Sequence, residues 1–148
     1  GELIQRVTGD DGTTVHPKTK MRFFNSMNWG KWLNVNDAET VLFDNAAGTN
    51  DSLYLSKQFS EMKYMDIYFT DNNGKAGGFT RVYEPEGKSI CLSLVESAGG
   101  VYLRHARFTA TGSQLKLESG SGYIYIGSNG VSTYSGRFIK ITRIACYE

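Results

Sequence analysis

The stretch Asp71-Asn72-Asn73-Gly74 comes closest to a metal site, because carboxylate and amide oxygens are the ligands that Ca²⁺ prefers. A calcium loop of the EF-hand type carries oxygen ligands at positions one, three and five, glycine at position six and glutamate at position twelve. Aligning Gly74 with position six puts Phe69 at position one and Thr80 at position twelve, so both anchoring positions lack a carboxylate. We therefore predict a hairpin with an eight-residue loop, residues 71–78, kept mobile by its glycines, since asparagine and glycine accept the positive φ angles of such loops.

The other residue types that perform chemistry show no catalytic spacing. His16 and His105 belong to no serine or cysteine nucleophile motif, and we expect His105 to be a partly exposed strand residue. Acidic residues near each other along the chain could supply the carboxylate pair of a glycosidase, but nothing identifies a facing pair among Asp66, Asp71, Glu84 and Glu86. No cysteine and histidine cluster has zinc spacing, and no glycine loop for phosphate precedes a helix. These observations predict a protein that is not an enzyme and has no metal and no cofactor.

The two cysteines, Cys91 and Cys146, are far apart in the sequence and form no CxxC motif. Each lies in an apolar, strand-like run, where a free cysteine packs as a small hydrophobic side chain. We therefore expect two free cysteines, and a disulfide between the two strands is the alternative.

The elements that would position these residues are predicted to be strands. The 148 residues include 17 glycines and only two prolines, and 13% are aromatic, a mix that favours short strands joined by glycine turns. The formal net charge of +1 gives no electrostatic basis for binding nucleic acid or an anionic membrane, and no apolar stretch is long enough to span a bilayer. The chain begins with Gly1 rather than methionine, which indicates a piece of a longer protein.

Alternation of apolar and polar residues with a period of two predicts half-buried strands whose aliphatic side chains point to the core. The clearest examples are MDIYFT, SICLSLV, SQLKLES and GYIYIGS, and in the last one Ile124 and Ile126 lie opposite Tyr123 and Tyr125. Segments rich in glycine, asparagine and serine separate the strands at intervals of roughly ten residues, as in a sandwich or barrel. Only SKQFSEMKYM could form one or two helical turns, capped by Ser56 or Ser60.

These patterns predict an all-β fold, an antiparallel β-sandwich that is jelly-roll-like, with about nine to eleven strands and at most one short helix. The first part of the chain is polar and turn-rich and then aromatic, without a clean period. We therefore expect residues 1–31 to be a lead-in or linker and an edge segment, and residues 32–148 to be the sandwich domain.

Aromatic residues are the most informative feature of the polar faces. Tyrosines on the outer face of a sheet can stack on sugar rings or line an oligomer interface, and cross-strand pairing that only stabilises the sheet is the alternative. The residues concerned are Trp29, Trp32, Tyr54, Tyr68, Tyr83, Tyr102, Tyr123 and Tyr125.

The order of several segments resembles a domain found at the C-termini of minor structural and tail-fibre-type proteins in phages and prophages of Gram-positive bacteria. In that family an LYxNxxGTxGxVTLS opening leads to FDYIEIYYTDNDG, then to VYxPxGKxVxL, and the domain ends in IKITRVVGY. Segments within residues 42–56, 65–74, 82–92 and 139–147 match these phrases, and DDGTTVHPKT resembles the phrase DGxxVYPxT that precedes such domains. The resemblance covers about two-thirds of the chain, mainly from Thr40 onward, and Ala145-Cys146 departs from it where the family has valine and glycine.

The resemblance implies a virion component of the distal tail, made in the bacterial cytoplasm and acting at the host cell surface. Such proteins are often homotrimers and assemble with other tail proteins, and the resemblance transfers no catalytic or binding residue. We therefore expect a non-enzymatic, receptor-binding domain that attaches to a host cell-wall glycan through stacked aromatic rings and loop amides. The candidate ligand contacts are Trp29, Trp32, Asp71, Asn72 and Asn73.

Two other functions stay open at this point. One is a purely structural trimerisation or capping domain of a tail fibre, with tyrosines and β-edges buried between protomers. The other is a carbohydrate-active enzyme or its binding module.

Overall fold

The computed structural model describes residues 3–9, 18–25, 28–29, 33–34, 39–97 and 99–148, with side chains described from residue 39 onward. The chain divides into two compact units, Gly1–Thr40 and Val41–Glu148. The described residues form antiparallel strands and one short 3₁₀ turn (Phe59–Glu61), which confirms the predicted all-β class. The strands are β1 (Leu3–Gly9), β2 (Lys18–Asn25), β3 (Asn28–Trp29), β4 (Leu33–Asn34), β5 (Thr40–Thr49), β6 (Leu53–Tyr54), β7 (Tyr64–Asp71), β8 (Gly77–Tyr83), β9 (Ser89–Ser97), β10 (Val101–Thr111), β11 (Gln114–Leu117), β12 (Gly122–Gly127), β13 (Gly130–Ser135) and β14 (Ile139–Tyr147).

The described strands of the first unit form one antiparallel sheet. β1 pairs along its whole length with β2, from Leu3 opposite Phe24 to Gly9 opposite Lys18. β3 and β4 also pair with β2. The segment predicted as a lead-in and edge therefore contains paired strands, while His16 lies outside the described residues.

The second unit contains two antiparallel sheets. β10 is the centre of the six-stranded sheet, because it has partner strands along both of its edges. β9 covers one edge, while β12 and β11 cover the first and second halves of the other edge. β13 extends the sheet beyond β12, and β6 extends it beyond β11. The other sheet has the strand order β5-β14-β7-β8.

The two sheets enclose one apolar core, as in a β-sandwich. Alternate residues of β7, β9 and β10 are buried, among them Met65, Leu92 and Phe108, and this confirms the predicted inward faces of MDIYFT and SICLSLV. In β14 the alternation is interrupted by an irregularity between Ile141 and Arg143. The extra residue shifts the phase of the strand, so that its aliphatic residues face the core on both sides of the irregularity.

Both cysteines are free, as predicted. Cys146 is buried in the core and packs as a small hydrophobic residue. Cys91 is exposed, because it alternates with the buried residues of β9 and points to the outer face of the sheet.

The predicted hairpin around Asp71 is present, but its loop is shorter than the predicted eight residues. β7 continues to Asp71 and β8 begins at Gly77, so only residues 72–76 connect the two strands. Gly78 is a strand residue, and a Cβ atom there would lie 2.5 Å from two ring carbons of Phe69. Packing against this ring, rather than loop mobility, explains the glycine at position 78.

The short helical turn predicted in SKQFSEMKYM is confirmed as the 3₁₀ turn, but the predicted serine cap is wrong. The turn is preceded by Gln58, whose backbone N–H donates to the Glu61 carboxylate at 3.1 Å. The Phe59 side chain is fully buried. Its packing in the core, together with the hydrogen bond between Gln58 and Glu61, decides where the turn begins.

Candidate functional site

The inner face of the six-stranded sheet changes from partly buried to buried halfway along β10. In the second half of the strand, Phe108 and the alanines on either side of it are buried in the core. Tyr102 and Arg104 lie on the same face of the first half but are only partly buried. The opposing sheet ends at this level, since Gly78, near the start of β8, packs beside Leu94, the register partner of Arg104.

Strand register brings further tyrosines to this part of the sheet. Tyr125 pairs with Tyr102, Tyr123 pairs with Arg104, and Tyr134 pairs with Tyr123. Glu96 of β9 lies opposite Tyr102. Directly paired residues of antiparallel strands point to the same face of a sheet. We therefore use the name tyrosine face for this set together with the adjoining Phe138, that is Glu96, Tyr102, Arg104, Tyr123, Tyr125, Tyr134 and Phe138.

The prediction that Ile124 and Ile126 point to the core is wrong. The period of two is present, but Tyr123 and Tyr125 lie on the inner face, and Ile126 is 48% exposed on the outer face. The physical reason is that, among the residues that the structure describes, no strand of the other sheet opposes this part of the inner face. Tyrosines suit such an open end, because their rings pack on one another while their hydroxyl groups reach water.

The rings of the tyrosine face form a continuous cluster. Tyr123 stacks on Tyr134 with 4.5 Å between ring centroids and meets Phe138 edge-on at 4.8 Å. Tyr102 lies 6.0 Å from Tyr123 and 4.7 Å from Tyr125. Tyr134, on the outermost strand, keeps 49% of its surface exposed, so the cluster has a partly open end.

Polar groups accompany the rings. The Arg104 guanidinium forms an ion pair with Glu96 and lies 5.8 Å from the centre of the Tyr102 ring. Desolvation, followed by the neighbouring phenols of Tyr134 and Tyr102, raises the pKa of Tyr123. The phenol of Tyr123 is therefore protonated at neutral pH and can donate a hydrogen bond.

The loop at residues 72–76 lies beside the tyrosine face. The Asn72 side chain donates to the backbone carbonyl of Arg137 at 2.9 Å, and Arg137 precedes Phe138. Asp71 is 3% exposed and accepts hydrogen bonds from the backbone N–H groups of Lys75 at 2.8 Å and Ala76 at 3.3 Å. Both contacts fix the loop at the open end of the sandwich.

The charge of Asp71 depends on this surrounding structure. Burial opposes ionisation of the carboxyl, but the N–H groups of Lys75 and Ala76 and the charge of Arg104 outweigh it and lower the pKa of Asp71. The carboxylate is therefore ionised at neutral pH and links the loop electrostatically to the tyrosine face.

The five residues predicted as ligand contacts have different positions. Asp71 is buried and accepts hydrogen bonds from the loop backbone, and Asn72 binds the loop to the carbonyl of Arg137. Asn73 is exposed. Trp29 belongs to β3, but its side chain lies outside the described residues, and Trp32 lies outside them altogether. Sequence reasoning did not select Glu96, Arg104, Tyr134 or Phe138, and the signal that could have found Tyr134 is its place opposite Tyr123 in a tight GSNG hairpin.

A second set of aromatic residues lies on the outer face of the four-stranded sheet. Tyr64 packs against Tyr83 at 5.6 Å, and Tyr68 packs against Phe79 at 5.0 Å, both as direct register partners. Arg81 donates two hydrogen bonds of 2.8 Å to the buried Asp66. That hydrogen bonding is the largest cause of the raised pKa of Arg81. These contacts are cross-strand pairs that stabilise the sheet, which is the alternative considered for outward tyrosines.

The Arg81 guanidinium also lies 4.2 Å from the Tyr64 ring centre, so its charge is shared between a carboxylate and an aromatic ring. This second aromatic surface therefore already has internal partners for its cation and for four of its rings.

Three of the four carboxylates considered for a glycosidase have hydrogen-bond partners within the fold. Asp66 and Asp71 are buried with the partners given above. Glu84 and Glu86 line a surface depression of about 420 Å³ together with Lys88, and both carboxylate oxygens of Glu86 accept the Gly112 N–H at 3.1–3.2 Å.

Other chemical sites were sought in the part of the chain that the structure describes. No group of three or more histidine, cysteine, aspartate or glutamate residues there could hold a metal ion. His105 lies in β10, partly buried as predicted, with its Nε2 2.8 Å from the Gly120 carbonyl oxygen. Within the same residues, no helix has the length and apolar character needed to cross a membrane.

The chain was compared with protein-family models, with curated proteins and with solved structures, and none of them matches it. The resemblance to phage tail proteins therefore stays a prediction.

Proposed function

We propose that this protein is a non-enzymatic attachment domain that binds a cell-wall carbohydrate of a bacterial host through the tyrosine face. The observation that supports the proposal is a cluster of five aromatic rings at the open end of a β-sandwich, with an arginine–glutamate ion pair among them. The second aromatic surface supports it less, because the carboxylate that pairs with its arginine, Asp66, is buried, whereas Glu96 in the tyrosine face stays partly exposed and can reach a ligand.

The chemistry of the tyrosine face suits a sugar. A pyranose ring has an apolar face of C–H groups and an edge of hydroxyl groups, so it binds where an aromatic ring lies next to hydrogen-bonding groups. Tyr134 offers the partly exposed ring. The phenols of Tyr123 and Tyr102 and the charges of Arg104 and Glu96 offer donors and acceptors for the hydroxyl groups.

The packing of the rings favours binding. Tyr134 is held by stacking on Tyr123, which in turn contacts Phe138, and Asn72 ties the adjacent loop to Arg137. Side chains that are already ordered lose little conformational entropy when a ligand binds. A weakly binding monosaccharide would thus gain from a prearranged surface, and a repeating polysaccharide would gain further from multivalency.

The biological setting belongs to the same proposal and rests on the resemblance to phage and prophage tail proteins. In that setting the protein is a virion tail component that meets the host cell surface and assembles with other tail proteins. The resemblance also implies a homotrimer, and a structural role in capping a fibre is the second candidate.

The proposal is tested by binding of the purified protein to immobilised wall polysaccharides from a panel of Gram-positive bacteria. Tyr134→Ala should weaken binding to a positive polysaccharide roughly tenfold, or about 1.4 kcal/mol, because it removes the exposed stacking ring. Tyr83→Ala is the matched control, since Tyr83 is 59% exposed and packs on Tyr64 in the other aromatic surface.

Three results of that experiment count against the proposal. No binding across a broad panel would remove the carbohydrate ligand altogether. Equal loss in Tyr134→Ala and Tyr83→Ala, with unchanged circular dichroism, would remove the assignment to the tyrosine face. Release of new reducing ends from a bound polysaccharide, abolished by Glu84→Gln, would establish the carbohydrate-active enzyme instead.

A further inference from the structure

The reverse side of the tyrosine face is apolar. Where Tyr102, Tyr123 and Tyr125 point inward, their neighbours along the strands are aliphatic and point outward. Val95 is 69% exposed and Val131 is 66% exposed, although valine is usually buried. An exposed aliphatic face of this kind is a feature that needs a physical reason.

These aliphatic residues form a contiguous surface. Leu103 pairs with both Val95 and Ile124, and Ile126 pairs with both Val101 and Val131. The side chains therefore stand in two adjacent rows across four strands. We use the name aliphatic patch for Val95, Val101, Leu103, Ile124, Ile126 and Val131.

The two rows of residues that contain the aliphatic patch are uncharged. The row of Leu103 continues to Thr133, and the row of Val101 continues to Ser97 on β9. None of the described residues in these two rows carries a charge. An anionic lipid surface is bound by apolar residues with a basic rim, and a basic or acidic protein partner requires the opposite charge, so neither suits this patch.

We propose that the aliphatic patch packs against the same patch of a second copy of this chain, related by a two-fold axis. An uncharged sheet face is self-complementary in charge, because its copy presents the same side chains with no like charges to repel them. Two such faces pack at about 10 Å, as the sheets of a sandwich do.

The area of the aliphatic patch sets the expected strength of this contact. The exposed surface of its side chains has an area on the order of 450 Å² per copy. Two copies with their serine and threonine borders then bury on the order of 1,200 Å², the lower end of specific interfaces. We therefore expect a reversible dimer with a dissociation constant in the micromolar range.

This contact is independent of the carbohydrate proposal, because it uses the opposite face of the same strands. It leaves the tyrosine face of each copy uncovered. Two ligand surfaces joined in one dimer would bind a repeating polysaccharide more tightly than one.

The experiment is sedimentation velocity of the full chain from about 1 to 200 µM, a range chosen to bracket micromolar affinity. The variant Val95→Thr/Val131→Thr keeps the shape and strand preference of both side chains but makes them polar, and it should raise the dimer dissociation constant at least tenfold. Val41→Thr is the matched control, since Val41 is 46% exposed in β5, outside the patch, and should leave the dissociation constant unchanged.

A second variant, Val131→Lys, places a positive charge in each copy of the patch, and its dimerisation should be weaker still and partly restored by salt. A wild-type chain that stays monomeric at 200 µM overturns the proposal. A trimer, the state that the resemblance to tail proteins implies, overturns the two-fold contact. So does a dimer that is equally tight in Val95→Thr/Val131→Thr and Val41→Thr.

Discussion

Gly78 gives a prediction whose sign can be worked out from the structure. The residue lies in β8 directly opposite Phe69, and an added Cβ atom would lie 2.5 Å from two carbons of the Phe69 ring and 3.1 Å from Leu94 Cδ2. Phe69 is 3% exposed, so its ring cannot turn into solvent to make room. Gly78→Ala therefore inserts a methyl group into a closely packed core.

The neighbouring glycine is the control for this substitution. At Gly77 the nearest atom to an added Cβ would be the Phe69 carbonyl oxygen at 3.5 Å, which is ordinary contact. Overpacking typically costs about 1–3 kcal/mol, so Gly78→Ala should lower the free energy of unfolding by roughly that amount. Gly77→Ala should instead raise it by about 0.5 kcal/mol, because alanine loses less backbone entropy than glycine in a strand.

Urea denaturation of the two variants and the wild type, followed by circular dichroism, measures both changes. Equal midpoints for Gly77→Ala and Gly78→Ala would refute the reasoning, because they would mean that both glycines belong to an open loop. The same result would remove the packed hairpin that places residues 72–76 beside the tyrosine face.

Three further predictions concern a carboxylate, the thiols and a second glycine. Burial opposes ionisation of Asp71, but backbone N–H groups and Arg104 hold its pKa below the usual value. The ionised group therefore stabilises the fold above about pH 4, and this contribution is lost as the pH falls through the folded-state pKa. Asp71→Ala should cost about 2 kcal/mol in urea denaturation at pH 7, and the difference from wild type should shrink at pH 2.5, whereas a difference independent of pH would contradict the charge argument. A thiol reagent should modify the exposed Cys91 of the native protein at once. Cys146 is buried and desolvation raises its pKa, so it should react only after denaturation. A Cys91→Ser variant whose native form still reacts at once would contradict the structure. Gly122→Ala would put a Cβ atom 2.0 Å from the Tyr134 carbonyl oxygen and should separate β13 from β12, seen as loss of amide protection in β13, while retained protection would contradict the register.

The sequence was sufficient to predict the parts of the fold where local pattern and tertiary burial agree. In β7 and β9 the aliphatic residues face an opposing sheet, so alternation alone gave the inward face correctly. In β12 the same pattern gave the wrong face. Alternation shows that Ile124 and Tyr123 point to opposite sides, but which side is inner depends on how far the other sheet extends.

The candidate site was less accessible to prediction for similar reasons. Asp71 and Asn72 were selected as loop residues that contact a ligand, but both hold the loop in place. Asp71 accepts hydrogen bonds from backbone N–H groups of the loop, and Asn72 donates one to the Arg137 carbonyl. Arg104 was not selected, because an arginine within a strand ordinarily points to solvent, and its ion pair with Glu96 depends on the pairing of β9 with β10. Such contacts are non-local and have no sequence signature.

The most direct test of the central claim is to locate a bound wall oligosaccharide by NMR of a chain with ¹³C-labelled tyrosine rings. We predict that the ring signals of Tyr134, Tyr123 and their neighbours in the tyrosine face shift together on titration, while those of Tyr64 and Tyr83 stay in place. Shifts confined to Tyr64 and Tyr83, or no shift in any ring with an oligosaccharide that binds, would contradict the assignment of carbohydrate binding to the tyrosine face.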